Sequence, residues 1–188
     1  ADLLDSNVAS MAAALVIAES LDSATGSANV MMVFTYAALG LLASVIGIAS
    51  ARIGKKGNPT RALNTSAYIT SAIYLVLTAA ATALIKGFSW RIWGAAAVGL
   101  AVGVIIGITT NYFTDDTKPI VQKVARASNT GPAFTILSGI SYGFISAMPA
   151  MVGIAISALA AYNLCAPMGE GYAMFGISMA AVGMLSIV

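Results

Sequence analysis

The chain has 188 residues, of which 59% are hydrophobic and 9% charged, with a formal net charge of +2 and a mean hydropathy of +0.90. A soluble domain carries roughly 25% charged residues, so too few are present here to cover a water-facing surface. There is no histidine and only one cysteine, Cys165, which excludes imidazole catalysis, histidine-ligated metal, a disulfide framework and a thiolate zinc site within the chain. So small a charge reflects topology and offers no face for nucleic acid.

The charges fall in short clusters separated by long uncharged runs. One run extends over about 24 residues from Ala62 to Ile85 and another over about 23 from Ile92 to Thr114; roughly 20 residues of helix cross a hydrocarbon core. The chain thus reads as an all-α integral membrane bundle with six transmembrane segments. The first covers residues 1–18 and is followed by an acidic, glycine-containing turn. The opening Ala1-Asp2 has neither a basic leader nor an initiator Met, and the expectation is an internal piece of a longer chain, incomplete at both ends. The second segment covers 30–51 and ends in a basic loop holding Arg52, Lys55, Lys56 and Arg61. The third covers 62–85. A link with Lys86, Gly87 and Arg91 leads to the fourth, 92–114. A polar stretch, 115–130, carries Lys118, Lys123 and Arg126. The fifth, 132–164, contains Pro149, which removes a backbone donor and predicts a kink near Met148. The sixth covers 171–188.

Basic residues set the expected orientation. Seven Lys and Arg lie in the stretches 52–61 and 115–130, against two in the alternate set. The positive-inside bias therefore places 52–61 and 115–130 in the cytoplasm and puts Asp2 and Asp5 at the cytoplasmic end of the first helix. Glycines recur every four residues at Gly99, Gly103 and Gly107, and again at Gly139 and Gly143. That spacing lets helix backbones approach closely in lipid. No phosphate loop or dinucleotide fingerprint accompanies them.

Ionisable groups within a membrane segment are costly and are functional candidates by default. Asp2 and Asp5, three apart, share one face of a helix. Two acids so stacked suit cation capture or a proton relay; the plainer alternative is that they stabilise the positive end of the helix dipole. At the far end of the fourth segment, Thr109, Thr110, Asn111, Thr114, Asp115, Asp116 and Thr117 precede three bases. Hard oxygens suit Mg²⁺ and the bases suit phosphate, although an ordinary solvated loop explains the same composition.

Several ordered motifs resemble the membrane-bound ion-translocating pyrophosphatases. Tyr112-Phe113-Thr114, Pro119-Ile120-Val121, Ala125, Ser128, Thr130-Gly131, Gly139, Gly143 and Ser146-Ala147-Met148-Pro149 follow that family's Tyr-Tyr-Thr to Ser-x-x-x-Pro run. The stretch from Tyr172 to Ser186 is similar to its Tyr-Gly-Ile-Ala helix, and Ala1-Asp2-Leu3-Leu4-Asp5-Ser6 to its Ala-Asp-Leu-Phe-Glu-Ser. The resemblance implies part of a larger bundle of about sixteen helices. It implies a homodimeric pump in the lipid bilayer that hydrolyses Mg²⁺-pyrophosphate on the cytoplasmic side and moves H⁺ or Na⁺ outward, with K⁺ or Na⁺ as possible cofactors. It places Asp2 as the carboxylate linking hydrolysis to the ion gate and Asp5 where many members carry the gate glutamate.

The chain also departs from the pattern. Asn111 stands where Glu is usual, Phe134-Thr135 replaces Thr-Asn, Asn7 replaces Tyr, and the spacer before Pro119 is one residue short. The family's acidic repeats, which hold Mg²⁺ and pyrophosphate, lie before Ala1 and after Val188, so the segment alone is not expected to be active. No catalytic, cofactor-binding or metal-ligating residue is therefore assigned with certainty within 1–188. Two other readings stand beside the pump: a non-catalytic or degenerate scaffold relative, and an unrelated secondary transporter.

Overall fold

A lipid-embedded segment must satisfy its backbone amides internally, which for a chain without strand patterning leaves the helix. The computed structural model describes residues 2–21, 26–50 and 59–186, without the side chains of 2–4, 26 and 59–63. Its helices are α1 (Asp2–Ser20), α2 (Gly26–Ser50), α3 (Pro59–Leu84), α4 (Trp90–Thr114), α5 (Pro119–Ala127), α6 (Pro132–Cys165) and α7 (Glu170–Leu185). Short 3-10 turns at Ser128–Thr130 and Ala166–Met168 precede α6 and α7. Each turn ends on a glycine at positive φ, Gly131 at 136° and Gly169 at 124°, a conformation that costs glycine little.

Over the described residues a helix stands in each of the six expected segments. Four of these helices, α2, α3, α4 and α6, are long and apolar enough to cross a membrane. α1 carries Asp2, Asp5 and Glu19 along its 19 residues, and the 16 residues of α7 span about 24 Å at 1.5 Å each. These two pack against each other. α6 continues as helix through Pro149. The stretch read as a polar loop holds an additional helix, α5, whose nine residues start from Pro119, the preferred place for proline.

The chain divides into two compact units, residues 1–104 with 157–188, and residues 105–156. In the first, Ala14 and Ala18 of α1, Met32, Val33 and Tyr36 of α2, Ile92 and Ala96 of α4, and Phe175, Met179 and Val182 of α7 form one buried cluster. Small residues permit this packing. A Cβ on Gly99 would meet the Ala180 backbone, and one on Gly183 the Ala96 backbone, so α4 and α7 touch main chain to main chain. Cys165 lies buried in the same cluster, its thiol donating to the Arg91 carbonyl at 3.7 Å.

A polar seam runs along α3. Ser66, Thr70, Tyr74, Thr78 and Thr82 recur every four residues, which places them on one helix face. Thr70 donates to the Ser66 carbonyl (2.9 Å), Thr78 to that of Tyr74 (2.8 Å) and Thr82 to that of Thr78 (2.8 Å). The Tyr36 hydroxyl of α2 lies 2.7 Å from Thr82 Oγ1, and the indole N–H of Trp93 on α4 donates to Thr78 Oγ1 at 3.1 Å. Ser66 Oγ reaches across to the Gly47 carbonyl of α2 at 2.7 Å. Three helices are thereby tied together.

In the second unit no residue is buried: across 105–156 every position is half-buried or exposed. α5 is amphipathic. Ile120, Val121 and Val124 are half-buried and, with Phe113 and Thr114 of α4 and Gly139, Tyr142, Gly143 and Ser146 of α6, line a cleft of about 360 Å³. The opposite side of α5 presents Gln122, Lys123 and Arg126 to the surroundings.

Candidate functional site

The two carboxylates singled out in the sequence both fall in the first turns of α1, which begins at Asp2. The Asp2 side chain lies outside the described residues; Asp5 is exposed. Their neighbour Asn7, noted in the sequence only as a replacement for Tyr, has a further feature. Among the described residues its amide oxygen is buried without a hydrogen-bond partner, and its backbone carbonyl accepts from Ser10 Oγ at 2.8 Å. An unsatisfied buried acceptor costs about 1–3 kcal/mol, and a proton donor or a cation brought to this turn would relieve it. Burial produces this signal, which the residue type alone does not carry.

The second candidate cluster closes α4. Asn111 is half-buried, and its backbone carbonyl accepts the Asp115 N–H at 2.9 Å. The hydroxyls here are committed locally: Thr109 Oγ1 donates to the Ile105 carbonyl (2.9 Å) and Thr114 Oγ1 to that of Thr110 (2.9 Å). In the turn beyond the helix, Asp115 Oδ1 accepts the hydroxyl of Thr117 at 2.7 Å and its backbone N–H at 2.9 Å. Those two bonds, the hydroxyl's first, hold the Asp115 carboxyl below the usual carboxylate range. Lys118 Nζ sits 5.7 Å from the centre of the Tyr112 ring, and Tyr112 meets Phe113 edge-on at 5.6 Å.

This arrangement does not make a magnesium cage. Mg²⁺ is bound by carboxylates with several retained waters, whereas Asp115 is occupied in its own turn and the threonines have turned back to their own helix. Among the described residues no three Asp, Glu, His or Cys side chains come together. The expected grouping of hydroxyls, carboxylates and bases around one Mg²⁺-chelated anion is therefore not formed by these residues. The basic residues 52, 55 and 56 lie outside the described residues.

A profile of the family described as "Inorganic H+ pyrophosphatase" matches residues 1–188. The chain belongs to that family. A Clostridium tetani protein bearing the name of a K(+)-stimulated pyrophosphate-energized sodium pump is 39% identical across 99% of this chain. A Moorella thermoacetica relative, the "K(+)-insensitive pyrophosphate-energized proton pump 2", is 32% identical across 99%. The chain spans 27% of the first and 28% of the second. Membership of this family, with four helices of crossing length, makes the chain part of a multi-pass integral membrane protein. It also removes the unrelated secondary transporter from consideration.

Proposed function

We propose that this chain is a segment of a pyrophosphate-energised ion pump, coupling hydrolysis of Mg²⁺-pyrophosphate on the cytoplasmic side to outward movement of H⁺ or Na⁺. The observation that carries the reading is the family match along the whole chain, with relatives named for both ions. As an enzyme the full-length protein would be an inorganic diphosphatase coupled to translocation, and the homodimer implied by the resemblance belongs to the same reading. The residues described here do not provide a Mg²⁺ cage, so Mg²⁺ and pyrophosphate would be held mainly by carboxylates elsewhere in the full-length protein. The proposed cytoplasmic stretches are 52–61 and 115–130, where seven Lys and Arg lie.

The part assigned to this segment is the ion path. Asp2 and Asp5, one turn apart in α1, offer carboxylates that can hold a cation or share a proton, and an ionisable pair at such a position is costly without a function. Asn7, whose buried oxygen has no partner among the described residues, is a neutral acceptor in the same turns. Asp5 is one carbon shorter than Glu and would meet the ion from a different reach. A second reading, a degenerate relative that neither hydrolyses nor pumps, rests on Asn111 in place of a carboxylate.

The test is Asp2→Asn in the full-length protein reconstituted in vesicles. Pyrophosphate-driven ion uptake should fall to background in the variant while the parent transports. Unimpaired pumping by the variant overturns the role of Asp2. A parent protein that neither hydrolyses pyrophosphate nor moves an ion establishes the second reading.

A further inference from the structure

We propose that Glu19 is a further carboxylate on the ion path, handing the outgoing cation to the non-cytoplasmic side through the cavity between α1 and α2. The role rests on the pump reading and extends its ion path beyond Asp5. α1 carries three acids, Asp2, Asp5 and Glu19, and no base. At about 100° and 1.5 Å per residue, Glu19 lies about 21 Å further along the helix than Asp5 and within about 40° of the same face. Val8, Ala12 and Val16 continue that line between the two acids, and all five positions are exposed. The buried residues of α1, Ala14 and Ala18, lie on the opposite side of the helix.

A packing role does not account for Glu19. It falls in the last turn of α1, where the helix dipole opposes a carboxylate, and no basic residue in that turn offsets it. Ala14 and Ala18 hold the helix in the buried cluster without it. What Glu19 does line is a cavity of about 810 Å³ between α1 and α2, together with Ser27 and Thr35. The Thr35 hydroxyl donates to the Met31 carbonyl at 2.7 Å, which leaves its oxygen as an acceptor. A carboxylate and hydroxyl oxygens in one cavity suit a monovalent cation carried with its water, and acids in membrane helices mark ion pathways. The side follows from the helices themselves. α2 is of crossing length, so with 52–61 in the cytoplasm its first turns, and Glu19 beside them, lie at the opposite surface.

The test uses the full-length protein in vesicles with the hydrolytic side outward, reading pyrophosphate-driven uptake of Na⁺ and of H⁺ separately. Glu19→Gln should slow uptake of whichever ion the parent moves, with the KM for pyrophosphate and the thermal midpoint unchanged. Glu19→Asp should restore the rate. Glu19→Cys gives an independent readout: a cationic, membrane-impermeant thiosulfonate sealed inside the vesicles should stop the variant's remaining uptake and leave the parent untouched. Uptake by Glu19→Gln equal to that of the parent overturns the proposal, as does a Glu19→Cys variant that the enclosed reagent leaves pumping. A parent that moves neither ion overturns the pump reading and this role with it, an outcome distinct from the other two.

Discussion

Two stretches of this chain use the same small-residue spacing and end differently. On α4, Gly99 and Gly103 press against α7, where the Ala180 main chain leaves no room for a Cβ on Gly99 and Met184 leaves little for one on Gly103. On α6, Gly139 and Gly143 have the same spacing and face empty space. The first unit buries Tyr36, Tyr74, Phe175 and Met32 completely, while in the second Phe144, Met148 and Met151 stay at least two-thirds exposed. In lipid there is little hydrophobic drive to bring helices together, so contact depends on shape and on polar bonds between them. The first unit has both, in the α4–α7 glycine contact and the α3 seam. The second has glycines with nothing opposite them.

The comparison can be broken or sharpened by substitution in the full-length protein, followed by thermal unfolding in detergent. Gly99→Ala should have the largest effect, because a methyl group there overlaps the Ala180 main chain. Overpacking of this kind costs about 1–3 kcal/mol or more, and a backbone that must move belongs at the upper end. Thr78→Val should follow. It keeps the volume but leaves the Trp93 indole N–H without its acceptor, a loss of about 1–2 kcal/mol. Gly139→Ala should be smallest and of opposite sign, a gain of up to about 1 kcal/mol from helix propensity alone. If Gly139→Ala proves as damaging as Gly99→Ala, a close helix partner covers α6, and the two regions are alike after all.

The helices were legible because a run free of charge over some twenty residues has few alternatives. α5 escaped for the opposite reason. Within nine residues it carries Lys123 and Arg126 beside Ile120, Val121 and Val124, so its average polarity resembled a loop and its amphipathic period was too short to stand out. The glycine spacing identified surfaces capable of close packing and could not say which had a partner, since that depends on residues about eighty positions away, such as Ala180. The α3 seam was visible as hydroxyls at every fourth position. It was passed over because Ser and Thr scarcely interrupt an apolar run. Asp2 and Asp5 fall in the first turns of α1, while the orphaned oxygen of Asn7 could be found only from packing.

The α3 seam turns its hydroxyl protons back onto the helix. Each hydroxyl owns a single proton. Thr82 has given its proton to the Thr78 carbonyl, so at the 2.7 Å contact Tyr36 is the donor. Thr78 has likewise given its proton to Tyr74 and can only accept from Trp93. A relay of the hopping kind needs every member to receive one proton and release another along the line, and here the release is fixed into the helix's own backbone. The row of hydroxyls thus fastens α2, α3 and α4 to one another, each of these threonine protons turned onto the helix's own backbone.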